Sequence, residues 1–65
     1  MPEPRYRYAD LGGDRVVTRA EVLRDYFAWW SDQMRAHGKA DQISEDACIE
    51  DWMVVHWAWK IEEPG

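Results

Sequence analysis

The chain has little that could cross-link it covalently or insert it into a membrane. It contains one cysteine in 65 residues, Cys48, so no internal disulfide can form. A small domain without disulfides is typical of a reducing compartment, and we expect a cytoplasmic protein. The longest apolar-looking run, Trp52 to Trp59, is interrupted by His56 and is too short for a membrane-spanning helix. No apolar stretch of the signal-peptide kind follows Met1, and no membrane partner is expected.

Patterns for catalysis and cofactor binding are also lacking. The sequence has no phosphate-binding loop and no dinucleotide fingerprint. The conventional nucleophile and base candidates, Cys48 and His56, fall on different predicted elements. Together with His37 they lack the spacing of metal ligands. We therefore expect a protein that is not an enzyme and needs no cofactor or metal.

Aromatic side chains are abundant, as a small domain requires. The length fits a single domain over residues 1–65, with residues 1–4 and 62–65 frayed. Such a domain buries a modest share of its surface, so the five tryptophans are important core material. Trp29 is expected to be partly exposed, at the edge of its helix stripe. The tryptophans predicted to pack in the core are Trp30, Trp52, Trp57 and Trp59.

The N-terminal half predicts a hairpin followed by a helix. Charged and aromatic residues alternate over residues 5–8, a turn sequence with two glycines occupies 10–14, and a returning strand covers 15–18. Thr18 and Glu21 then form a capping box, in which each side chain accepts a hydrogen bond from the other's backbone N–H. Apolar residues at three- and four-residue steps predict a helix to about residue 35 or 36, ended by Gly38.

The C-terminal half predicts a second helix and a last strand. Ser44 caps the helix, whose apolar face holds Cys48, Ile49, Trp52 and Met53. Extending this helix would place Val54 and Trp57 among its acidic residues, so a strand over residues 54–61 is preferred. The predicted fold is α+β, in the order β-β-α-α-β, with a small antiparallel sheet of about three strands packed against two helices. Pairing of the last strand with the hairpin would bring Arg5 and Arg7 near Glu62 and Glu63.

Negative charge is concentrated in the C-terminal part. The first 39 residues hold six acids and seven bases, a sum of +1. From Ala40 onward, seven acids and one lysine sum to −6, which gives the net −5 of the chain. Bases in the N-terminal part alternate with acids, so direct nucleic-acid binding is not expected. The asymmetry instead indicates a negative surface for a positively charged partner.

The second helix has the densest carboxylates and is the candidate site. Nucleic-acid-binding proteins hold arginine and lysine in grooves that match phosphate arrays, and a rigid acidic helix can occupy such a groove. A simpler interpretation is a solvated face, since the helix dipole favours acids in the first turn. The candidate partner-binding residues are Glu45, Asp46, Glu50 and Asp51, supported by Asp41 and Asp32.

Three segments resemble small proteins carried by bacteriophages and prophages: residues 17–23, the pair Trp29-Trp30, and residues 48–57. Within that population the chain resembles small anti-CRISPR inhibitors, with type I-C systems as the suggested target. The resemblance implies a non-enzymatic inhibitor that acts in the bacterial host cell. Because this class of inhibitor is very diverse in fold, the resemblance implies nothing about the structure. It would bind the CRISPR surveillance complex at the subunit that reads the protospacer-adjacent motif and keep it off target DNA.

Two other interpretations remain open. The protein is expected to be a monomer under the inhibitor hypothesis, whereas a small structural or regulatory domain could homodimerise through a strand edge or its aromatic face. In that case the carboxylates would serve solubility alone. An antitoxin that neutralises a basic toxin is a further alternative, and it would use the same electrostatic attraction as the inhibitor.

Overall fold

The computed structural model describes residues 3–61, in which two helices pack against a three-stranded antiparallel sheet. This confirms the predicted α+β fold and its β-β-α-α-β order. A short 3-10 helix joins the two α-helices. The elements in chain order are β1 (Arg5–Asp10), β2 (Gly13–Thr18), α1 (Arg19–Ala36), the 3-10 helix (Ala40–Gln42), α2 (Glu45–His56) and β3 (Trp59–Lys60).

β1 and β2 form the hairpin that the alternating sequence predicts. Asp10 pairs with Gly13 at the end of the ladder, so the turn has two residues. Gly13 has a φ of +111°, a conformation that side chains disfavour. Tyr6 and Tyr8 are two residues apart and share one face of β1. Both rings contact the ring of Trp52 in α2, at centroid distances of 6.0 and 5.3 Å.

The start and end of α1 follow the local sequence. The Thr18 hydroxyl oxygen accepts the Glu21 N–H at 3.2 Å, and the Glu21 carboxylate accepts the Thr18 N–H at 3.3 Å. The predicted capping box is therefore confirmed. The helix ends at Ala36, and Gly38 follows with a φ of +73°. A glycine at this place allows the left-handed turn that satisfies the last carbonyl groups.

The first described residues are bonded to α1. The Glu3 carboxylate accepts the N–H of Ala20 at 2.9 Å, and the Pro4 carbonyl accepts the N–H of Arg19 at 3.0 Å. These two bonds satisfy N–H groups that a helix start leaves without partners. The remainder of the segments expected to be frayed, residues 1–2 and 62–65, lies outside the described residues.

The predicted strand over residues 54–61 is wrong in most of its length. α2 continues to His56, and β3 comprises Trp59 and Lys60 alone. His56 explains the extra helical turn: its ring stacks on Trp52, four residues earlier, at 4.9 Å. Its Nδ1 also donates to the Trp52 carbonyl oxygen at 2.9 Å. These contacts override the strand preference of the β-branched residues Val54 and Val55.

β3 pairs with β1 of the hairpin and gives the sheet order β2-β1-β3. Tyr6 lies opposite Lys60 and Arg7 opposite Trp59, and the Ile61 N–H donates to the Arg5 carbonyl at 2.9 Å. The short strand therefore fixes the chain after α2 against the hairpin. The expected approach of Arg5 and Arg7 to Glu62 and Glu63 falls outside the described residues.

The core lies between β1 and the two helices. Its buried residues are Tyr6, Val22, Ile49 and Trp52. Trp30 is also buried, which confirms two of the four tryptophans predicted to be in the core. Trp29 is more than half exposed, as expected. The other two predictions are wrong: the helix turn places Trp57 and Trp59 at the surface, with 87% and 50% of their area exposed.

Candidate acidic interface on the second helix

α2 presents one buried face and one acidic face. The Ser44 hydroxyl oxygen caps the helix by accepting the N–H of Ala47 at 3.1 Å. Cys48, Ile49 and Trp52 are buried at helical spacing, and they turn the opposite face to solvent. All four carboxylates that the sequence singled out on this helix are exposed: Glu45, Asp46, Glu50 and Asp51.

Arg19 of α1 partly neutralises the first turn of α2. Its guanidinium donates to the Asp46 carboxylate at 2.9 Å and to the Glu45 carboxylate at 3.4 Å. The bond to Asp46 is the main cause that raises the pKa of Arg19. The sequence shows no base near these acids, because their counter-charge lies 26 residues away along the chain. Because the pair is exposed to water, it contributes little to the stability of the fold.

Asp51 has a hydrogen-bond partner within the protein, whereas Glu50 has none among the described residues. The Tyr26 hydroxyl of α1 donates to the Asp51 carboxylate at 2.8 Å. Burial, together with this bond and the negative charge of Asp51, raises the pKa of Tyr26. Within residues 3–61, the Glu50 side chain makes no hydrogen bond or salt bridge. Asp51 is therefore fixed in position but still negative, and Glu50 is available to a partner.

A shallow groove between α1 and α2 lies beside these two acids. Trp30 and Met34 of α1 and Val54 of α2 contribute apolar walls, while Glu50 and Asp51 line it with carboxylates. Lys39 also lines the groove, so its three charges sum to −1. An apolar surface with a negative rim suits a protein segment that carries arginine or lysine.

The two supporting acids lie on other elements. Asp32 is on α1 and accepts a hydrogen bond from Arg35 at 3.0 Å, which offsets its charge. Asp41 lies in the 3-10 helix and is exposed. The six candidate residues are thus spread over three elements. The structure brings together the four of α2, with Arg19 at one end and the groove at the other.

An exposed apolar surface at the end of α2 was not expected from the sequence. Val54 and Trp57 are 76% and 87% exposed, and with Met53 and Ala58 they line one shallow depression. The signal was present in the pattern, since a longer helix places Val54 and Trp57 among the acidic residues. The sequence pattern is interpreted as a strand because apolar residues are not expected among acidic ones on a helix. In the structure the helix does continue, and these apolar residues are exposed on it.

Cys48 and His56 lie on the same helix, which corrects their assignment to different elements. Eight residues separate them, or about 12 Å along the helix axis. Cys48 is fully buried, and burial followed by the charge of Asp51 raises the pKa of its thiol to about 11. His56 is bonded to Trp52. The two side chains therefore cannot act as a nucleophile and its base.

The burial of Cys48 predicts a loss of stability at alkaline pH. Its folded-state pKa lies above its ordinary value of 9.0, so the folded state holds the thiol proton more tightly. The contribution of the protonated Cys48 thiol to stability should be complete below about pH 9, and it should be lost as the pH rises towards about 11. Urea unfolding at about pH 8, 9, 10 and 11 measures this loss of stability. The Cys48→Ala variant should lose less stability over this range, and parallel pH curves for the two proteins would contradict the prediction.

No protein-family model matches the chain, and neither a curated protein nor a solved structure is similar to it. Within residues 3–61, no group of three or more histidine, cysteine, aspartate or glutamate side chains is placed to hold a metal ion. In the same part of the chain, no helix has the length and apolar character needed to cross a membrane.

Proposed function

We propose that the protein is a non-enzymatic inhibitor that occupies a basic nucleic-acid groove on a protein of the host's defence. The observation that carries the proposal is the exposed acidic face of α2. Four carboxylates lie within seven residues, and Arg19 is the base that contacts them among the described residues. The proposed binding residues remain Glu45, Asp46, Glu50 and Asp51, with Asp41 and Asp32 at the periphery.

The charge density of this face is comparable with that of a nucleic-acid strand. Seven helical residues span about 10 Å of axis, so four carboxylates give about one charge per 2.5 Å, or about one per 3.3 Å once Arg19 has neutralised one charge. A DNA strand carries one phosphate per about 3.4 Å of helix axis. Arginine and lysine side chains placed to contact phosphates would therefore meet carboxylates at similar intervals.

The partner that fits this chemistry and the sequence resemblance is a CRISPR surveillance complex. In this proposal, α2 occupies the site of the subunit that reads the protospacer-adjacent motif, and target DNA is excluded by competition. The protein acts as a monomer in the cytoplasm of the bacterial host, and it needs no cofactor.

Competition with DNA tests the proposal directly. The tagged protein is used to capture a purified type I-C surveillance complex, with and without excess target DNA that carries the protospacer-adjacent motif. We expect capture without DNA and its loss when DNA is present, because both ligands need the same basic groove. DNA of the same length without the motif is the matched control. Capture that target DNA does not reduce, or no capture at low salt, would contradict the proposal.

A homodimer is the second candidate, and the edge of β2 favours it. β2 is six residues long, lies at one side of the described sheet and carries the exposed Val16. Such an edge can pair with the same strand of a second copy. Light scattering that gives twice the monomer mass of 7.7 kDa, independent of concentration, would favour this candidate over the inhibitor.

A further inference from the structure

The backbone at the end of α2 holds a tryptophan in a conformation that suits glycine. Trp57 has φ 53° and ψ 38°, the left-handed helical region, and it is the one non-glycine residue with positive φ between residues 3 and 61. Side chains are disfavoured there because Cβ crowds the neighbouring carbonyl oxygen. α1 ends with a glycine in the equivalent region, Gly38. Trp57 therefore occupies a backbone position that glycine, which has no Cβ atom, would fit better.

Packing within the domain does not offset this strain. The Trp57 side chain is largely exposed, so its indole contributes little to the core. An aromatic side chain kept in a disfavoured conformation and exposed to water is typical of an interface residue. Its neighbours are apolar too. We define the apolar tip as Met53, Val54, Trp57 and Ala58, which line one depression.

The apolar tip is continuous with the acidic face. Asp46, Glu50 and Val54 follow each other at four-residue steps, so they form one row along α2. Val54 lines both the groove beside Glu50 and the depression beside Trp57. A partner that covers the tip must therefore also approach the carboxylates.

We infer that the apolar tip anchors the protein to its partner, with the Trp57 indole inserted into an apolar pocket that borders the partner's basic groove. This inference rests on the proposed function and adds a second, uncharged component to it. The carboxylates beside the apolar tip determine which kind of partner can cover it, because they repel negative surfaces and attract positive ones. A second copy would place two negative rows side by side in a symmetric pair, whereas a protein with arginine or lysine beside its pocket is attracted. The partner surface is therefore apolar and basic, and it belongs to a protein.

Replacement of Trp57 by glycine tests the anchor without disturbing the fold. Glycine adopts φ 53° freely, so the melting temperature of Trp57→Gly should equal or exceed that of the wild type. Binding to the purified type I-C surveillance complex should weaken by about 100-fold, as for a central aromatic anchor. The dependence of binding on salt should be unchanged, because no charge is removed.

Two further variants complete the test. Val54→Ser changes the tip without touching the backbone of Trp57, and it should weaken binding by about tenfold. Leu11→Ser removes another exposed apolar side chain, in the hairpin turn, and should leave binding unchanged. A Trp57→Gly variant that binds within twofold of the wild type would overturn the anchor and leave the proposed function intact. A large fall in its melting temperature would also overturn it, by assigning the indole to the fold. Failure of the wild type to bind would overturn both proposals.

Discussion

Replacing Trp52 with alanine is expected to cause a large loss of stability, seen as a marked fall in the urea midpoint of unfolding. Trp52 is 6% exposed and is at the centre of the aromatic core, where its ring contacts Tyr6, Tyr8 and His56. Truncation of a buried tryptophan costs about 3–5 kcal/mol. A domain of this length has a total stability of roughly 3–10 kcal/mol, so the loss is between about a third and all of it. Urea denaturation followed by circular dichroism measures the effect.

Trp29→Ala is the matched control for this prediction. It removes the same side chain from α1, but Trp29 is largely exposed, and we expect a loss of about 1 kcal/mol or less. A Trp52→Ala variant that unfolds cooperatively with nearly the wild-type midpoint would show that the contacts of Trp52 do not stabilise the core.

Reversing the charge of Glu50 is expected to weaken binding to a basic partner by about 30- to 100-fold at physiological salt. Glu50 is the α2 carboxylate that makes no hydrogen bond or salt bridge within residues 3–61, so Glu50→Lys should fold normally. The new lysine would face basic groups of the partner, and like charges repel. Titration of the purified surveillance complex at several salt concentrations measures the loss. The difference in affinity between Glu50→Lys and the wild type should become smaller as the salt concentration rises, because salt screens the charges.

Asp14→Lys is the matched control for charge. It changes the net charge by the same amount, on the exposed hairpin strand β2 instead of α2. Binding should be close to that of the wild type. Equal losses in the two variants would show that net charge matters more than position, and a folded Glu50→Lys variant with wild-type affinity would remove Glu50 from the interface.

The elements that the sequence predicts well are those set by nearby residues. The capping box of α1 joins Thr18 and Glu21, three residues apart, and its end depends on Gly38 just beyond the last turn. The hairpin follows from alternating side chains on both sides of a short turn. Each of these signals acts within a few residues, so no knowledge of the tertiary structure is needed to detect it.

The boundary between α2 and β3 could not be predicted in this way. Val54 and Val55 favour a strand by their own preferences, and they are exposed in the structure. What continues the helix is the contact of His56 with Trp52, reinforced by Tyr8 from β1 and Tyr26 from α1. The pair of His56 and Trp52 is local, but the two tyrosine contacts join distant parts of the chain, so the boundary depends on the tertiary structure as well.

Some features of the candidate site could likewise be read from the sequence, and others depended on the tertiary structure. The sequence by itself determined which residues carry the negative charge and that most of them share one helix, because composition and helical spacing are local properties. The tertiary structure alone decided that Arg19 neutralises the first turn, that Tyr26 holds Asp51, and that Trp57 is exposed in a left-handed conformation. These features depend on how α1 and β1 pack against α2. Pairings across 25 or more residues leave no periodic trace in a single sequence.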